Sequence, residues 1–352
     1  MKNVPVEAAT TISLYDATRE QFDAFLADEP RYRRDQVWSS LYEQFLLPSA
    51  MTTLPKALRA RIEERFPVAL ELVTKTSADS GDTVKFLWKL TSGGSLIETV
   101  LMFYSDRATV CVSTQAGCAM DCSFCATGQA GFSRQLSPGE ILEQIARASR
   151  FALDRDRRVS NVVYMGMGEP LANEPSAHES VVRLHDDMGV SARHITISTV
   201  GIVPGIRALA QWDLPVNLAI SLHAANDTLR NEIVPINKRY PIDALVDACN
   251  EYLTHKNRRI SFEWAMIDGM NDRDSDAREL ASVCDRLRLA PHVNLIPLNP
   301  TPGWPTQASS VKRINAFREL LESLGVNATV RRNRGSDIDA ACGQLAAGQL
   351  GH

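Results

Sequence analysis

The chain has 352 residues, enough for one large α/β barrel with an appended domain or for two domains of ordinary size. Apolar residues make up 44% and charged residues 23% of it, and a net charge of −4 argues against polyanion binding by the whole surface, although local patches remain candidates. Without an apolar run near the roughly 18 residues of a membrane span or an N-terminal signal pattern, we expect a cytoplasmic protein with reduced thiols.

The first part of the chain, residues 1–90, predicts a small helix-rich accessory domain. Residues 15–48 and 54–72 have the apolar spacing of helices, with Ser13 as the N-cap of the first helix. Two apolar strands follow in SGDTVKFLWKL and SLIETVLMFY. The Ser92-Gly-Gly sequence between these two strands is suited to a hairpin turn.

From residue 108 onward, short apolar strands alternate with helices, which predicts parallel strands joined by right-handed crossovers. Ser137 and Glu140 form a capping box, with Pro138 at the first helical position, so a helix is expected over 138–151. Six such units predict a partial, open (β/α)6 barrel related to the TIM barrel. The predicted strands are 108–114, 159–165, 194–199, 216–222, 260–266 and 292–298, and further helices are expected at 242–255, 275–288 and 309–324.

The predicted barrel occupies residues 91–334, and a further short strand, ATVRR, lies near its end. A C-terminal segment follows at 335–352. In such a barrel the chemistry lies at the carboxyl ends of the strands. Most of these ends carry polar or glycine-rich residues: Cys118 onward, Gly166-Met-Gly-Glu, Ser198-Thr-Val-Gly, Ser221-Leu-His and Asn299-Pro-Thr-Pro-Gly.

Four of the seven cysteines fall within CVSTQAGCAMDCSFCATG, residues 111–128. Cys118, Cys122 and Cys125 form C-x3-C-x2-C just after the first barrel strand. A closed zinc site takes four ligands, usually as two separated pairs, so this spacing argues against structural zinc. Three thiolates on a short loop can hold a [4Fe–4S] cluster and leave one iron free for another ligand.

Other cysteines and one carboxylate stand outside this motif. Strand alternation places Cys111 on a small polar face that we expect to line the barrel, although a lone cysteine there is more often a buried inert thiol. Cys342 lies in DIDAACGQL, a glycine-containing segment where a core role is less natural. Glu98, in SLIETVLMF, would by its sequence alone be a solvent-facing hairpin residue. Cys249 and Cys284 are interpreted as core or idle residues of helices.

With Phe124 directly before its last cysteine, the motif resembles the signature of the radical S-adenosylmethionine (SAM) superfamily. GCAMDCSFCATG, MGMGEPLAN, ISLHA, EIVPINKRY, HVNLIPLNP and RGSDIDAACGQL resemble, in this order, the RlmN family of RNA adenine-C2 methyltransferases. The resemblance runs from about 90 to 347. It implies one [4Fe–4S] cluster per chain on the three cysteines, with SAM on the free iron. The SAM contacts it implies are Gly168, Glu169, Ser198, Ser221, Leu222, His223 and Asn299.

The resemblance also implies roles for the outlying residues. Cys342 takes a methyl group from one SAM and becomes S-methylcysteine. A second SAM, split at the reduced cluster, gives the radical that activates this methyl group for addition to adenine C2. Glu98 removes the C2 proton. Cys111 then attacks the Cys342 sulfur, which forms a transient disulfide and releases the methylated base. Two SAM molecules are consumed in each methylation.

The implied substrates are an adenosine in the peptidyl-transferase loop of 23S rRNA and the adenosine 3′ of the tRNA anticodon, each splayed out to reach the barrel. The N-terminal domain is then of an RNA-binding type, and Tyr32, Trp38 and Trp304 are candidate stacking surfaces, although burial is the commoner role of such aromatics. A low-potential electron donor such as flavodoxin or ferredoxin is also implied. We expect a monomer without membrane contact. Arginine-rich candidate RNA contacts are 31–34, 155–158, 256–259 and 331–334.

Three alternatives stay open. A Cfr-like relative would use the same two cysteines to methylate adenine C8 of 23S rRNA, although DIDAACGQL and the NPTPG loop favour the C2 enzymes. A radical enzyme that makes a protein glycyl radical or rearranges a small molecule would have no use for Cys342. An iron–sulfur or zinc RNA-binding regulator would need neither SAM nor the Gly166–Glu169 loop.

Overall fold

The computed structural model describes residues 12–256, 258–299, 301, 304, 306–331 and 334–345. Its N-terminal part consists of short helices, α1 (Arg19–Phe25), α2 (Arg31–Tyr42) and α3 (Lys56–Arg65), with a 3-10 turn at Pro48–Ala50. Among the described residues no helix is both long and apolar enough to span a membrane.

The N-terminal helices are shorter than predicted, and their caps differ. The N-cap of α1 is Thr18 rather than Ser13, because the Thr18 hydroxyl accepts the Gln21 N–H. Ser13 instead donates to the Asp16 carboxylate at 2.7 Å. Prolines explain the shorter helices: Pro30 separates α1 from α2, and Pro67 disfavours helical backbone at the residue before it. The helix predicted over 54–72 therefore ends at Arg65, where a strand had not been expected to follow.

Twelve strands and eight further helices make up the rest of the described chain. The strands are β1 (Leu70–Ala78), β2 (Thr83–Leu90), β3 (Leu96–Phe103), β4 (Ala108–Cys111), β5 (Gln115–Gly117), β6 (Phe132–Gln135), β7 (Val159–Tyr164), β8 (Ile195–Thr199), β9 (Asn217–Ser221), β10 (Ile260–Met266), β11 (His292–Pro297) and β12 (Asn327–Val330). The helices are α4 (Ala126–Gln129), α5 (Pro138–Leu153), α6 (Glu174–Asp186), α7 (Val203–Gln211), α8 (Asp227–Ile233), α9 (Ile242–Lys256), α10 (Asp274–Asp285) and α11 (Val311–Ser323).

Ten strands form one sheet in the order β1-β2-β3-β4-β7-β8-β9-β10-β11-β12. The first four pair antiparallel, and every pair from β4–β7 to β11–β12 is parallel. The predicted partial barrel is confirmed, and β12 adds a seventh parallel strand. Because β1 and β12 are its two edges, the barrel is open.

The sheet crosses the predicted domain boundary. Residue 90 ends β2, and β3 pairs with β2 on one side and with β4 on the other, where Val100 lies opposite Cys111. The predicted hairpin turn is present, and Gly93 and Gly94 have φ angles of 80° and 70°. The division at residue 90 stays a prediction, while the strands on its two sides belong to one sheet.

The N-terminal residues are bound to the barrel by polar contacts. The Asp16 carboxylate accepts the Gly139 N–H at 2.7 Å and the Ser137 hydroxyl at 2.9 Å, at the start of α5. The predicted capping box of Ser137 and Glu140 is confirmed, since both of its hydrogen bonds are present. Asp16 therefore adds a third, long-range acceptor to the same helix N-terminus, where negative charge is favourable.

Glu143 is a buried carboxyl group on α5. One of its oxygens accepts the Ala69 N–H at 2.8 Å, and the other has no hydrogen-bond partner among the described residues. Burial raises the pKa of Glu143 to about 7, against the smaller opposing effects of the Ala69 N–H and Arg147. The protonated form is thus favoured in the folded chain.

We predict that Glu143→Gln changes how stability depends on pH. Because its pKa is raised in the folded chain, Glu143 contributes to folding stability. This contribution is fully present below pH 4.5, the usual pKa of the group, and is lost as pH rises through about 7. The loss in the wild type is at most about 3 kcal/mol, and the neutral amide does not suffer it. Unfolding temperatures measured between pH 5 and pH 8 should therefore increasingly favour the variant, relative to exposed Glu71→Gln as the control. A difference that is constant with pH would contradict this prediction.

Candidate active site

Predicted site residues from separate strand ends line one cavity of about 160 Å³, which is partly open to solvent. The cavity lies where the carboxyl ends of the parallel strands meet. The strand-end residues singled out in the sequence are thus brought together. Those that line the cavity are Cys118, Cys122, Cys125, Gly168, Glu169, Ser198, Ser221, His223, Asn299 and Cys342.

The three-cysteine loop connects β5 and β6, which form a small antiparallel hairpin. Gly117 has a φ of +77°, and a Cβ there would lie 1.9 Å from the Gly131 carbonyl oxygen. This close approach is what allows the Cys118 N–H to donate to the same oxygen at 2.8 Å. A glycine is therefore required where the chain enters the loop.

The chemistry of the three thiols fits an iron–sulfur cluster. Burial raises the pKa of Cys118 to about 12 and that of Cys122 well above its usual value, so these thiols need a strong cationic partner to become thiolates. Among the described residues, no three His, Cys, Asp or Glu side chains converge tightly enough to hold a single metal ion. Thiolates that each bind a different iron of one cluster do not have to converge on one point.

The Gly166–Glu169 loop carries a buried carboxyl group on the cavity wall. Gly168 has a φ of +98°, and a Cβ there would lie 2.5 Å from the Gln115 Cβ. The Glu169 carboxylate accepts the N–H groups of Leu171 at 3.0 Å and Val200 at 2.8 Å. Burial outweighs these hydrogen bonds and raises the pKa of Glu169 to about 7. A ligand ammonium group would favour its charged form.

The predicted SAM contacts at the end of β9 and directly after it differ in orientation. Ser221 and His223 line the cavity, whereas the Leu222 side chain is buried in the core and does not. His223 has a positive φ of 58°, and its Nδ1 accepts the Ala265 N–H at 3.0 Å. Burial lowers the pKa of His223 to about 3, so the ring is neutral and its Nε2 carries the proton.

Arg230, on α8, was not predicted from the sequence. Its side chain is fully buried and donates to the carbonyl oxygens of Val200 at 2.6 Å, Leu222 at 3.0 Å and Ser221 at 3.3 Å. These carbonyls follow β8 and β9, so one guanidinium connects two of the strand ends that carry predicted SAM contacts. No sequence pattern indicates this role, because an arginine in a short helix usually faces solvent.

A second cavity, of about 110 Å³, adjoins the first. Cys111 and Cys342 both line it, and Cys342 lines the first cavity as well. All seven cysteines are free thiols in this structure. Burial raises the pKa of Cys111 to about 12, and the nearby Arg331 lowers it to a smaller extent. The cysteine that was singled out in the C-terminal segment therefore lies at the junction of the two cavities.

Hydrogen bonds from several parts of the chain hold the Cys342 segment. The Ala126 N–H donates to the Gly343 carbonyl at 2.7 Å, directly after the third cysteine of the loop. The Thr127 hydroxyl donates to the Leu345 carbonyl. The Asn299 side chain, predicted as a SAM contact, donates to the Cys342 carbonyl at 3.1 Å. The segment is thus bonded directly to the three-cysteine loop.

Glu98 is only 3% exposed, so the interpretation of it as a solvent-facing residue is wrong. It lies on β3 two residues before Val100, which lines the second cavity, and strand alternation places both on the same face. Glu98 itself is not on the wall of either cavity. Its Oε1 lies 2.9 Å from the Lys85 Nζ, which also donates to the Asp339 carbonyl at 3.2 Å. Lys85 therefore connects Glu98 to the Cys342 segment, and no sequence pattern indicates this role of Lys85.

The fold and the three-cysteine loop define the class of protein. Residues 112–281 match the model of the Radical SAM superfamily. A crystal structure of a radical SAM methyltransferase from Sphaerobacter thermophilus superposes with a TM-score of 0.91 at 48% identity, over 96% of this chain and 99% of that one.

More specific similarity comes from curated sequences. A probable dual-specificity RNA methyltransferase RlmN of Roseiflexus castenholzii is 44% identical over 400 aligned positions, which cover 99% of both chains. One of Dictyoglomus thermophilum is 46% identical over 91% of both chains. The chain therefore belongs to the RlmN family of dual-specificity RNA methyltransferases.

We predict that Gly117→Ala disrupts the three-cysteine loop and Gly131→Ala does not. Both glycines have positive φ angles, of 77° and 78°, so both variants carry a backbone strain of about 1 kcal/mol. A Cβ at Gly117 would collide with backbone atoms, whereas a Cβ at Gly131 meets nothing within 4 Å. Iron and sulfide content after anaerobic reconstitution should fall severalfold in Gly117→Ala. Equal iron content in the two variants would overturn this interpretation of the loop.

Proposed function

We propose that the chain methylates C2 of an adenosine in the peptidyl-transferase loop of 23S rRNA and of the adenosine 3′ of the tRNA anticodon, through a methylated Cys342. The observation that carries this proposal is the position of Cys342 at the junction of two cavities. One cavity contains the three-cysteine loop and the Glu169 loop, and the other contains Cys111. A cysteine there can receive a group on one side and deliver it on the other.

Membership of the superfamily implies a [4Fe–4S] cluster and SAM. Cys118, Cys122 and Cys125 would hold the cluster, one per chain, and Glu169 would accept a hydrogen bond from the SAM amino group. When bound, these groups supply a transferable methyl group and, by one-electron cleavage of a second SAM, the means to remove a hydrogen atom from an unactivated methyl group. Ser198, Ser221, His223 and Asn299 are proposed to bind the rest of SAM. Leu222 can contribute only through its backbone.

Two cysteines perform the covalent steps of the proposed route. The Cys342 thiolate accepts a methyl cation equivalent, which forms its S–C bond. After loss of one hydrogen atom, the same carbon bonds to adenine C2, and the adduct then gives up its unpaired electron, for which the oxidised cluster would be the acceptor. The Cys111 thiolate then attacks the Cys342 sulfur, so that an S–S bond forms and the S–C bond breaks. The released electron pair stays on the carbon, which takes up a proton and becomes the methyl group of the product.

Glu98 is proposed to remove the proton from C2 before the S–C bond breaks. The Lys85 ammonium group lies 2.9 Å from the Glu98 carboxylate and holds it in place. Val100, next on the same strand face, lines the cavity of Cys111. A small movement of the side chains around Val100 would bring the Glu98 carboxylate to an adenine ring bound in that cavity.

The proposed RNA surface includes residues 1–90 and the arginine-rich stretches. Tyr32 is 62% exposed, with the Arg33 guanidinium 5.3 Å from its ring centre, so it is available for stacking on a base. Trp38 stacks on Tyr42 at 4.3 Å, within the N-terminal part, which suits a core role. Residues 257, 332 and 333 of the predicted basic stretches, and residues 300, 302 and 303 of the NPTPG loop, lie outside the described residues. A flavodoxin- or ferredoxin-like electron donor and a monomeric state complete the proposal.

The test is methylation of purified 23S rRNA and tRNA fragments under anaerobic reduction, with the product nucleoside identified by mass spectrometry and NMR. We expect 2-methyladenosine from both RNAs, and 8-methyladenosine would favour the Cfr-like alternative. Cys342→Ala should abolish methylation but still release 5′-deoxyadenosine. Cys111→Ala should leave the RNA bound covalently to Cys342, because no thiolate breaks the S–C bond. Full methylation by Cys342→Ala would end the proposal.

We predict that Lys85→Met slows the deprotonation step. Methionine keeps the apolar part of the side chain but removes the charge that holds Glu98, and general bases contribute about 10²–10⁴-fold to rate. Methylation should fall about tenfold or more, while methylation of Cys342 itself is unchanged and the covalent RNA adduct accumulates, as in Glu98→Gln. Exposed Lys89→Met, on the same strand, is the control. An unaltered methylation rate in Lys85→Met would refute the role of this ion pair.

A further inference from the structure

Arg331 lies directly after β12 and lines both cavities. Its backbone N–H donates to the Leu295 carbonyl at 2.8 Å, so the backbone of Arg331 is bonded to β11. The Arg331 Nη1 atom lies 4.0 Å from the Cys342 sulfur and 3.5 Å from the Glu263 Oε2 atom. A guanidinium group is therefore placed beside the cysteine at the junction of the cavities.

Glu263 holds this guanidinium from the inside of the barrel. Its side chain is 5% exposed on β10. Its Oε1 accepts the Ser261 hydroxyl at 3.0 Å and the Asn294 amide at 2.8 Å. Its Oε2 has no hydrogen-bond partner among the described residues and faces Arg331. Two hydrogen bonds hold one oxygen of this carboxylate, and its other oxygen faces the cation. Glu263 therefore anchors the Arg331 guanidinium.

The sulfur atoms of Cys342 and Cys111 both interact with the positive charge of Arg331. The negative charge that Cys342 can carry is the largest influence that raises the pKa of Arg331. Arg331 in turn opposes the effect of burial on the pKa of Cys111. The remaining titratable or charged side chains on the walls of the two cavities are Tyr104, Cys118, Cys122, Cys125, Tyr164, Glu169, His223 and Arg334.

Arg334 lines the second cavity as well, but its guanidinium is bound elsewhere. It donates to the Phe103 carbonyl at 2.8 Å and lies 4.3 Å from the centre of the Tyr104 ring. Two arginines of the same segment thus differ in what they contact. Arg331 faces a sulfur atom, and Arg334 faces a carbonyl and a ring.

We propose that Arg331, anchored by Glu263, is the positioning residue that stabilises the thiolate of Cys342 for methyl transfer and then that of Cys111 for disulfide formation. Each thiol gives its proton to water before it reacts, and the guanidinium stays protonated throughout. The assignment of these two steps rests on the proposed function. The stabilisation of the Cys342 thiolate does not, because it requires neither SAM nor RNA.

The test measures alkylation of Cys342 by iodoacetamide in reduced, cluster-loaded protein without SAM or RNA. Peptide mass spectrometry gives the rate for the unmethylated Cys342 between pH 6 and pH 10. In Arg331→Met we expect a rate about tenfold lower at pH 7, because one pKa unit corresponds to a tenfold change in thiolate fraction. At pH 10 the thiol is largely ionised in both proteins, so the alkylation rates of variant and wild type should be much closer. A rate difference that persists at pH 10 would indicate altered access to Cys342 rather than the lost charge.

The controls decide between this role and a merely structural one. Arg331→Lys should restore most of the rate at pH 7, Glu263→Gln should lower it in part, and Arg334→Met should match the wild type. Circular dichroism and iron content verify that each variant is folded. The proposal is overturned if Arg331→Met keeps the wild-type pH profile, or if Arg334→Met shifts the profile equally. Absence of RNA methylation by the wild type, together with the alkylation profiles expected above, would count against the proposed function alone.

Discussion

The site depends on the hydrogen bonds that join the Cys342 segment to the three-cysteine loop. The Ala126 N–H binds the Gly343 carbonyl, and the Thr127 hydroxyl binds the Leu345 carbonyl. Through them, a residue far along the chain reaches the mouth of a barrel whose first strand carries Cys111. Each such bond contributes only about 0.5–1.5 kcal/mol net. A segment held by a few bonds of this size can adjust, whereas the strands on either side of it are fixed by the sheet.

Burial of charge is the second constraint, and the barrel meets it at its strand ends. Arg230 is surrounded by carbonyl oxygens, Glu169 accepts two backbone N–H groups, and Glu263 faces Arg331. Buried charges without such partners cost several kcal/mol each. The carboxyl ends of parallel strands offer both free carbonyls and turns with free N–H groups. The same place can therefore hold a charged cofactor and the side chains that orient it.

The sequence predicted the parts of this arrangement that local pattern determines. The alternation of strands with helices predicted the barrel, and a capping box predicted α5; both are confirmed. The cysteine spacing on one loop, together with the resemblance, predicted the family. The prediction of Ser13 as the N-cap of the first helix is wrong, because Thr18, with Gln21 three residues later, forms the capping box of α1. Lys85 and Arg230 could not be found, because their partners lie on other strands or loops and a lone charged residue ordinarily indicates a solvated surface. Arg331 is singled out by sequence only as part of a basic stretch, not as a neighbour of Cys342.

The continuous sheet explains why the proposed base and resolving thiol come from neighbouring strands. Val100 of β3 lies opposite Cys111 of β4, and Glu98 lies two residues from Val100 on the same face. Adjacent strands are held about 5 Å apart by their ladder, so these two groups keep one separation whatever is bound. Cys342 lies on neither a helix nor a strand. The groups proposed to act on a bound adduct thus lie on adjacent strands of one sheet, whereas Cys342, proposed to carry the methyl group, lies in a segment held by a few hydrogen bonds.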